Sequence, residues 1–316
     1  MIGKESGQDD LAAWGIEHKP GVLDKINDEI DWRRFGKTLR RVYKDTGLGR
    51  KSYPPVTLFK VLLLQQWYGL SDPMAEEAIG DRLSFRRFLG LSFSDSIPDE
   101  TTICRFRGRL AERGFGEKLL RELNRQLDRK GLLVKRGTLI DASLIQAQSR
   151  PPTKINPEPK DPDADWTVKR GEPTYGYKLH IGVDETSGLV RKAEMTPASV
   201  HDSKVFEPLL SGDEIAAYAD KAYDDTARRI RLKEQGVMAG ILKKGRRNNP
   251  LTEWERTWNR YLSVIRTPVE RVFGTLKQNY GFRRGRYVGM ERNKNHALLL
   301  VMAFNLRKMT KLLPVS

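Results

Sequence analysis

Between residues 131 and 242 the hydrophobic period changes in an order that few folds can accept. The segment 138–143 reads as a strand, and 177–184 and 189–196 alternate apolar and polar residues with period two, as half-buried strands do. "ETSG" (185–188) supplies a turn between the second and third. A helix then starts at Asp202 or Ser203 and runs to Leu210, a strand spans 214–220, a helix spans 225–236, and a strand spans 237–242. An antiparallel meander followed by helix–strand alternation predicts one mixed sheet with helices on both faces.

The first 130 residues read as helices. "PVTLFKVLLLQQWYGL" (55–70) is apolar nearly all round, which predicts a buried central helix. Asp72 is the expected N-cap of the next helix, with Pro73 at its first position, and Asp99 the expected N-cap of a later one. In that later helix Ile103, Phe106 and Leu110 form the apolar stripe, and Arg105, Arg107 and Arg109 point largely outward. Two helices with a glycine-containing connection resemble a helix-turn-helix that could present Arg105 and Arg107 to DNA. An arginine-rich solvated helix in a bundle fits the same spacing. The expected division is a helical domain over 1–130 and a catalytic domain over 131–316.

Charge is unevenly placed. Residues 243–316 hold 17 Lys+Arg against 4 Asp+Glu, a net +13 of the whole chain's +16. A basic block on a near-neutral body is the footprint of a polyanion binder, best read as a binder of nucleic acid, with a membrane surface a poor second. Lys243, Lys244, Arg246 and Arg247 in "KKGRR", and Arg283, Arg284 and Arg286 in "RRGR", are its densest parts. The single cysteine, Cys104, rules out an internal disulfide and leaves no zinc cluster to consider. No apolar run approaches the roughly 18 residues of a membrane span, and no signal-peptide pattern is present; a cytoplasmic protein is expected. The stretch 146–176 is polar, rich in proline, and too long for an ordinary connection, so it is expected to be functional or disordered. Trp166 within it either anchors the loop to the core or stacks on an unpaired base.

Three acids take special places. Asp141 lies on the first strand, in "TLIDAS"; Asp220 ends the fourth, in "YADKAY"; Glu270 lies in "RTPVERVFGTLK" (266–277). In the last, Val269, Val272, Phe273 and Leu276 make a buried helical face, and Arg266, Glu270, Gly274 and Lys277 share another stripe. Thr267, Pro268 and Glu270 also spell a capping box, which would give Glu270 a local role only. Asp141 and Asp220 could likewise be turn-capping residues. The strand and helix order is that of an RNase H-like core, a mixed five-stranded sheet in which the first and fourth strands are neighbours. There the three carboxylates can converge, and mutual repulsion would call for a cation. Oxygen ligands without Cys or His clusters point to Mg²⁺ or Mn²⁺, two ions about 3.5–4 Å apart.

The chain resembles the DDE transposases of bacterial insertion sequences, in the group allied to insertion sequence five. "YPPVTLFKVLLLQQWYGLSD" and "IPDETTICRFRGRL" are similar to that group's helical domain. "LIDASLI", "DADWTVKRGEPTYGYKLHIGVD", "TPASVHDSKVFEPLL", "YADKAYDD" and "RTPVERVFGTLKQ" follow its core. Around the glutamate the family has tyrosine, arginine, glutamate and lysine at fixed spacing; Arg266, Glu270 and Lys277 match, and Ser263 stands at the tyrosine position, with Tyr261 two residues before. The resemblance implies a catalytic, metal-binding triad of Asp141, Asp220 and Glu270, with Arg266 and Lys277 on the transposon-end backbone. It further implies terminal-repeat binding, strand cleavage and transfer, and a homodimer on DNA. His201 and Asp202 resemble a family element near the site, although Asp202 also suits a helix cap. Lys178 and His180 share a sheet face that could meet DNA. A structure-selective nuclease on the same fold and a non-catalytic DNA-binding regulator are the alternatives.

Overall fold

The computed structural model describes residues 20–42, 53–169 and 171–314. They fall into two compact units, divided as Met1–Gln126 with Leu298–Ser316 and Leu127–Ala297.

The first unit is helical. It comprises α1 (Val22–Glu29), α2 (Trp32–Leu39), α3 (Pro55–Tyr68), α4 (Asp72–Asp81), α5 (Leu83–Leu89), α6 (Glu100–Glu112), most of α7 (Phe115–Arg129) and the end of α12 (Met290–Leu312). As expected, α3 is buried on every side, from Leu58 through Trp67. Even Lys60 is enclosed, because its ammonium reaches the Phe88 carbonyl at 2.8 Å and Asn27 Oδ1 at 2.9 Å. Residues from Leu298 onward group with these helices: the Trp67 indole donates to the Ala303 carbonyl at 2.9 Å.

The cap of α4 is Ser71, whose hydroxyl accepts from Met74 N; Asp72 is the first helical residue instead. That one-residue shift frees the Asp72 carboxylate, which takes both Arg107 Nη atoms at 2.6 Å. Arg107 therefore turns into the bundle rather than outward, while Arg105 stays exposed. Asp99 caps α6 as expected, accepting from Thr102 N at 2.7 Å.

The second unit is a mixed sheet flanked by helices. Its strands are β1 (Gly137–Gln146), β2 (Asp165–Lys169), β3 (Glu172–Asp184), β4 (Val190–Pro197), β5 (Ala216–Ala219) and β6 (Met238–Ile241). β1, β3 and β4 form the antiparallel meander; β5 lies parallel to β1, and β6 parallel to β5. Order β4–β3–β1–β5–β6 is the RNase H-like core. The sheet has six strands where five were expected, because "DWTVK" inside the polar stretch pairs antiparallel with an extended β3. Gly176 lets β3 cross close to β1, since a Cβ there would meet the Ile145 carbonyl at 2.2 Å. Between the sheet and α8 (Phe206–Leu209) and α9 (Thr226–Glu234), Ile140, Phe206, Leu209, Ala217, Tyr223 and Ile241 form a buried core. On α11 (Thr267–Gln278), which follows α10 (Glu253–Ile265), Val269, Val272, Phe273 and Leu276 are buried, as the spacing predicts, and α11 packs against β1. Among the described residues no helix is long and apolar enough to cross a membrane.

Candidate active site

Parallel pairing of β1 with β5 sets Ile140 beside Ala219. One residue further along, Asp141 lies within β1 and Asp220 just past the end of β5, where it caps the next turn instead of ending the strand as expected, and the charge of Asp220 acts on Asp141. Each is held locally: Asp141 Oδ1 accepts from Ala142 N at 2.8 Å, and Asp220 Oδ1 caps the turn Lys221–Tyr223 by accepting from Ala222 N at 2.8 Å. Burial pushes the Asp141 carboxyl up to about 6; the Arg266 guanidinium opposes that rise, and the charge of Asp220 adds to it. An aspartate placed so that ionising is unfavourable, beside a second aspartate, is an arrangement built to meet a cation.

Arg266, the residue before α11, supplies a cation from the protein itself. It is buried, and its guanidinium lies 3.7 Å from Asp141 Oδ2. Glu270 stands one helical turn further along. It is exposed, and the capping box does not form: Arg266 occupies the cap position with helical backbone angles, and the Thr267 hydroxyl donates to the Val264 carbonyl instead. A capping residue needs an extended backbone, and α10 runs almost directly into α11, which denies it. Glu270 thus has no local structural duty. Among the described residues no group of three or more acidic, histidine or cysteine side chains is close enough to hold a metal ion, so Glu270 is not gathered with the two aspartates.

The donor set fits a hard divalent cation. Magnesium usually takes one or two protein carboxylates and completes its octahedron with water and substrate phosphate oxygens. Asp141 and Asp220 provide such a pair.

Around the pair lie residues that sequence reasoning weighed lightly. Tyr223 is buried with its hydroxyl unpartnered; burial, then Asp202, Asp141 and Asp220, raise its pKa. Asp202 ion-pairs with Lys178 at 2.8 Å, and the cap of its turn is His201, whose Nδ1 accepts from Ser203 N. Lys178 also donates to the Val200 carbonyl, so its charge is engaged within the protein. His180 is fully buried, with Nε2 on the Thr196 hydroxyl at 2.9 Å, and burial pushes its imidazole down to about 4. It is a core histidine rather than part of a DNA-facing surface.

The basic candidates divide by what already holds them. Lys243 pairs with Glu255 at 2.7 Å. Arg284 donates to the carbonyls of Ala147 and Gln148, tying the segment after α11 to the end of β1. Lys244, Arg246, Arg247, Arg283 and Arg286 are exposed. Lys277 is half-buried, and burial, together with Lys169 and Arg283, holds its ammonium below the usual lysine range. Trp166 is 43% exposed on β2, its ring 5.5 Å from Tyr175 across the hairpin. Sequence reasoning passed over Lys169 and Asp161. The signal for Lys169 was the alternation of "DWTVK"; for Asp161 there was none.

A family model described as "Transposase DDE domain" matches residues 133–306, more than half of the chain. A second, "Transposase domain (DUF772)", matches residues 15–109. Among solved structures, similarity extends to a piggyBac transposase synaptic complex with hairpin DNA, at TM-score 0.40 and 10% identity over 93% of this chain and 80% of that one. It extends also to a Mos1 transposase paired-end complex with the left transposon end, at TM-score 0.21 and 12% identity over 90% and 93%. A pre-cleavage Mos1 transpososome is matched at TM-score 0.21 and 12% identity over 98% and 93%. Likenesses this distant carry no argument; the two family matches do.

Proposed function

The chain belongs to the DDE transposases, and from that premise we propose that it binds the terminal inverted repeats of its own element, cuts there, and joins the freed ends to target DNA. The observation that supports this reading is the parallel pairing of β1 with β5, which runs to Ile140 beside Ala219 and so brings Asp141 and Asp220, each the next residue, close together, with the Glu270 helix packed against β1. In the cleavage step a water oxygen attacks a phosphodiester phosphorus. The bond to the 3′ oxygen breaks, leaving a 3′-hydroxyl and a 5′-phosphate. In the joining step that hydroxyl attacks a target phosphodiester, forming one phosphorus–oxygen bond as another breaks. No protein nucleophile is needed.

Asp141, Asp220 and Glu270 are the proposed ligands of two Mg²⁺ or Mn²⁺ ions, Glu270 entering by a change of its exposed side chain. Bound there, the ions would activate the attacking oxygen and stabilise the leaving one. Arg266, once drawn from Asp141, and Lys277 would hold backbone phosphates on either side of Glu270. The exposed cations Lys244, Arg246, Arg247, Arg283 and Arg286 would extend the contact along the duplex, with a homodimer joining two ends.

The test is incubation of a labelled duplex carrying the element's end with Mg²⁺ and either wild type or Asp141→Asn. Wild type is expected to yield a new 3′-hydroxyl and, with added target, a joined strand; the variant is expected to yield neither. Equal activity in both removes the assignment. Cutting without joining favours a nuclease.

A further inference from the structure

The sheet has an open edge at β2, which among the described residues pairs with β3 alone. Of its five residues only Thr167 is partly covered; Asp165, Trp166, Val168 and Lys169 are exposed, Val168 to 69%. Such an edge presents backbone groups that a further strand can take up. The strand is also fixed in place. Trp166 faces Tyr175 and Val168 faces Pro173 on β3. At the root of the hairpin Asp161, fully buried, accepts the Tyr177 hydroxyl at 2.7 Å, and its carbonyl accepts the Tyr175 hydroxyl at 2.6 Å.

Charges on an edge strand ordinarily keep other sheets away. On β2 their placement selects a partner. Laid antiparallel against itself about a two-fold at Thr167, "DWTVK" sets each Asp165 opposite a Lys169, each Trp166 opposite a Val168, and Thr167 opposite Thr167. Unlike charges, aromatic with β-branched, and threonine with threonine are the cross-strand pairs that stabilise sheets. A parallel copy in register would instead set like charges side by side, and an antiparallel slip of two residues would leave both charges unmatched. One self-complementary arrangement remains, and it is the kind a two-fold interface requires. Among the described residues neither Asp165 nor Lys169 forms an ion pair, not even Lys169 with Glu172, its cross-strand neighbour. Asp165 accepts from Trp166 N at 2.7 Å and from the Ser199 hydroxyl, and a carboxylate has room for further donors.

We propose that β2 pairs antiparallel with β2 of a second copy of this chain, about a two-fold at Thr167, joining two sheets edge to edge. Five residues span only about 17 Å and bury much less than the roughly 800 Å² per partner of a stable complex. The contact is therefore weak between free copies and adds to whatever else holds them together. It rests on the transposase reading for the occasion on which two copies meet, but its test needs neither DNA nor metal, so the two fail separately.

The experiment traps the pair as a disulfide at low salt, in a Cys104→Ser chain that lacks the exposed native thiol. Thr167→Cys should give a covalent dimer on mild oxidation, because facing residues of an antiparallel pair have Cα atoms about 4.5–5.5 Å apart, inside disulfide range. Val168→Cys is the more exposed position, but its twin would lie about 8 Å away, beyond the roughly 7 Å limit, and should be trapped far more slowly. Added to the Thr167→Cys chain, Asp165→Lys and Lys169→Asp should each slow trapping about tenfold by setting like charges opposite. Mixing those two variants should restore the rate, since unlike charges then face each other again. No trapping at Thr167→Cys, equal trapping at the two positions, or a mixture no faster than its components overturns the inference.

Discussion

Replacing Asp141 by asparagine should make the metal-free protein more stable at neutral pH while abolishing its activity. The reasoning starts from the native carboxyl, pushed by burial from the ordinary 3.8 to about 6. Its native pKa lies above the unfolded value, so between about pH 4 and 6 the native state holds the proton more tightly. The stability this provides is present below about pH 4 and is lost as the pH rises through 6. At 1.36 kcal/mol per pH unit, ionised Asp141 costs the native state at most about 3 kcal/mol. A quarter of its side chain, 24%, is exposed, so solvent screening lowers the expected gain from asparagine to about 1–2 kcal/mol. For a unit the size of Leu127–Ala297 that is a rise in Tm of roughly 2–8 °C.

Calorimetry in EDTA at pH 7.5 and pH 4 provides the assay. Asparagine should win at the higher pH, and the difference should shrink towards zero at the lower. Added Mg²⁺ should then close the gap at pH 7.5, because a ligand at a hundred times its Kd stabilises the protein that binds it by about 2.7 kcal/mol. A variant less stable than wild type at pH 7.5, or a gain of the same size at pH 4, would refute the reasoning.

Glu270→Gln should leave the melting temperature within about 1 °C of wild type, since Glu270 is exposed and forms no hydrogen bond or ion pair with the described residues, yet remove end cleavage in the gel assay. Loss of fold in that variant would give Glu270 the structural duty denied it above. Arg107→Met should cost about 1–3 kcal/mol in urea unfolding, because it removes the two charge-assisted bonds to the partly buried Asp72 and leaves it the Gln65 amide, whereas Arg105→Met should change stability by less than about 0.5 kcal/mol. Equal effects would mean that the Arg107–Asp72 bonds do not hold the bundle.

What could be read in advance was whatever depends on period. The meander, the helix–strand alternation, the buried α3 and the apolar face of α11 all announce themselves by spacing, and the order of strands then places Asp141 next to Asp220. What escaped depends on which of two local partners wins. Thr267 and Glu270 have capping-box spacing, but the box requires an extended cap residue, and the helix arriving through Ile265 leaves Arg266 helical. Asp72 looks like a cap, but Ser71 is one residue nearer the turn and Arg107 competes for the carboxylate. β2 was hidden because five residues of alternation are surrounded by proline and aspartate, and only pairing with β3 selects the strand. Lys178 lies on a plausible DNA-facing strand, yet Asp202, 24 residues later, takes its charge.

Asp161 divides the inserted stretch into parts with different freedoms. Residues 151–160 lie almost wholly in solvent, so changes in their length should disturb little. From Asp161 to Lys169 the chain is moored at one end by two tyrosine hydroxyls and laced to β3 along the other, so the same change there would shift every residue of the hairpin. Related proteins could vary freely in the slack portion while the taut portion keeps a constant reach, much as the rope of an anchored boat can be lengthened only on the shore side of the cleat.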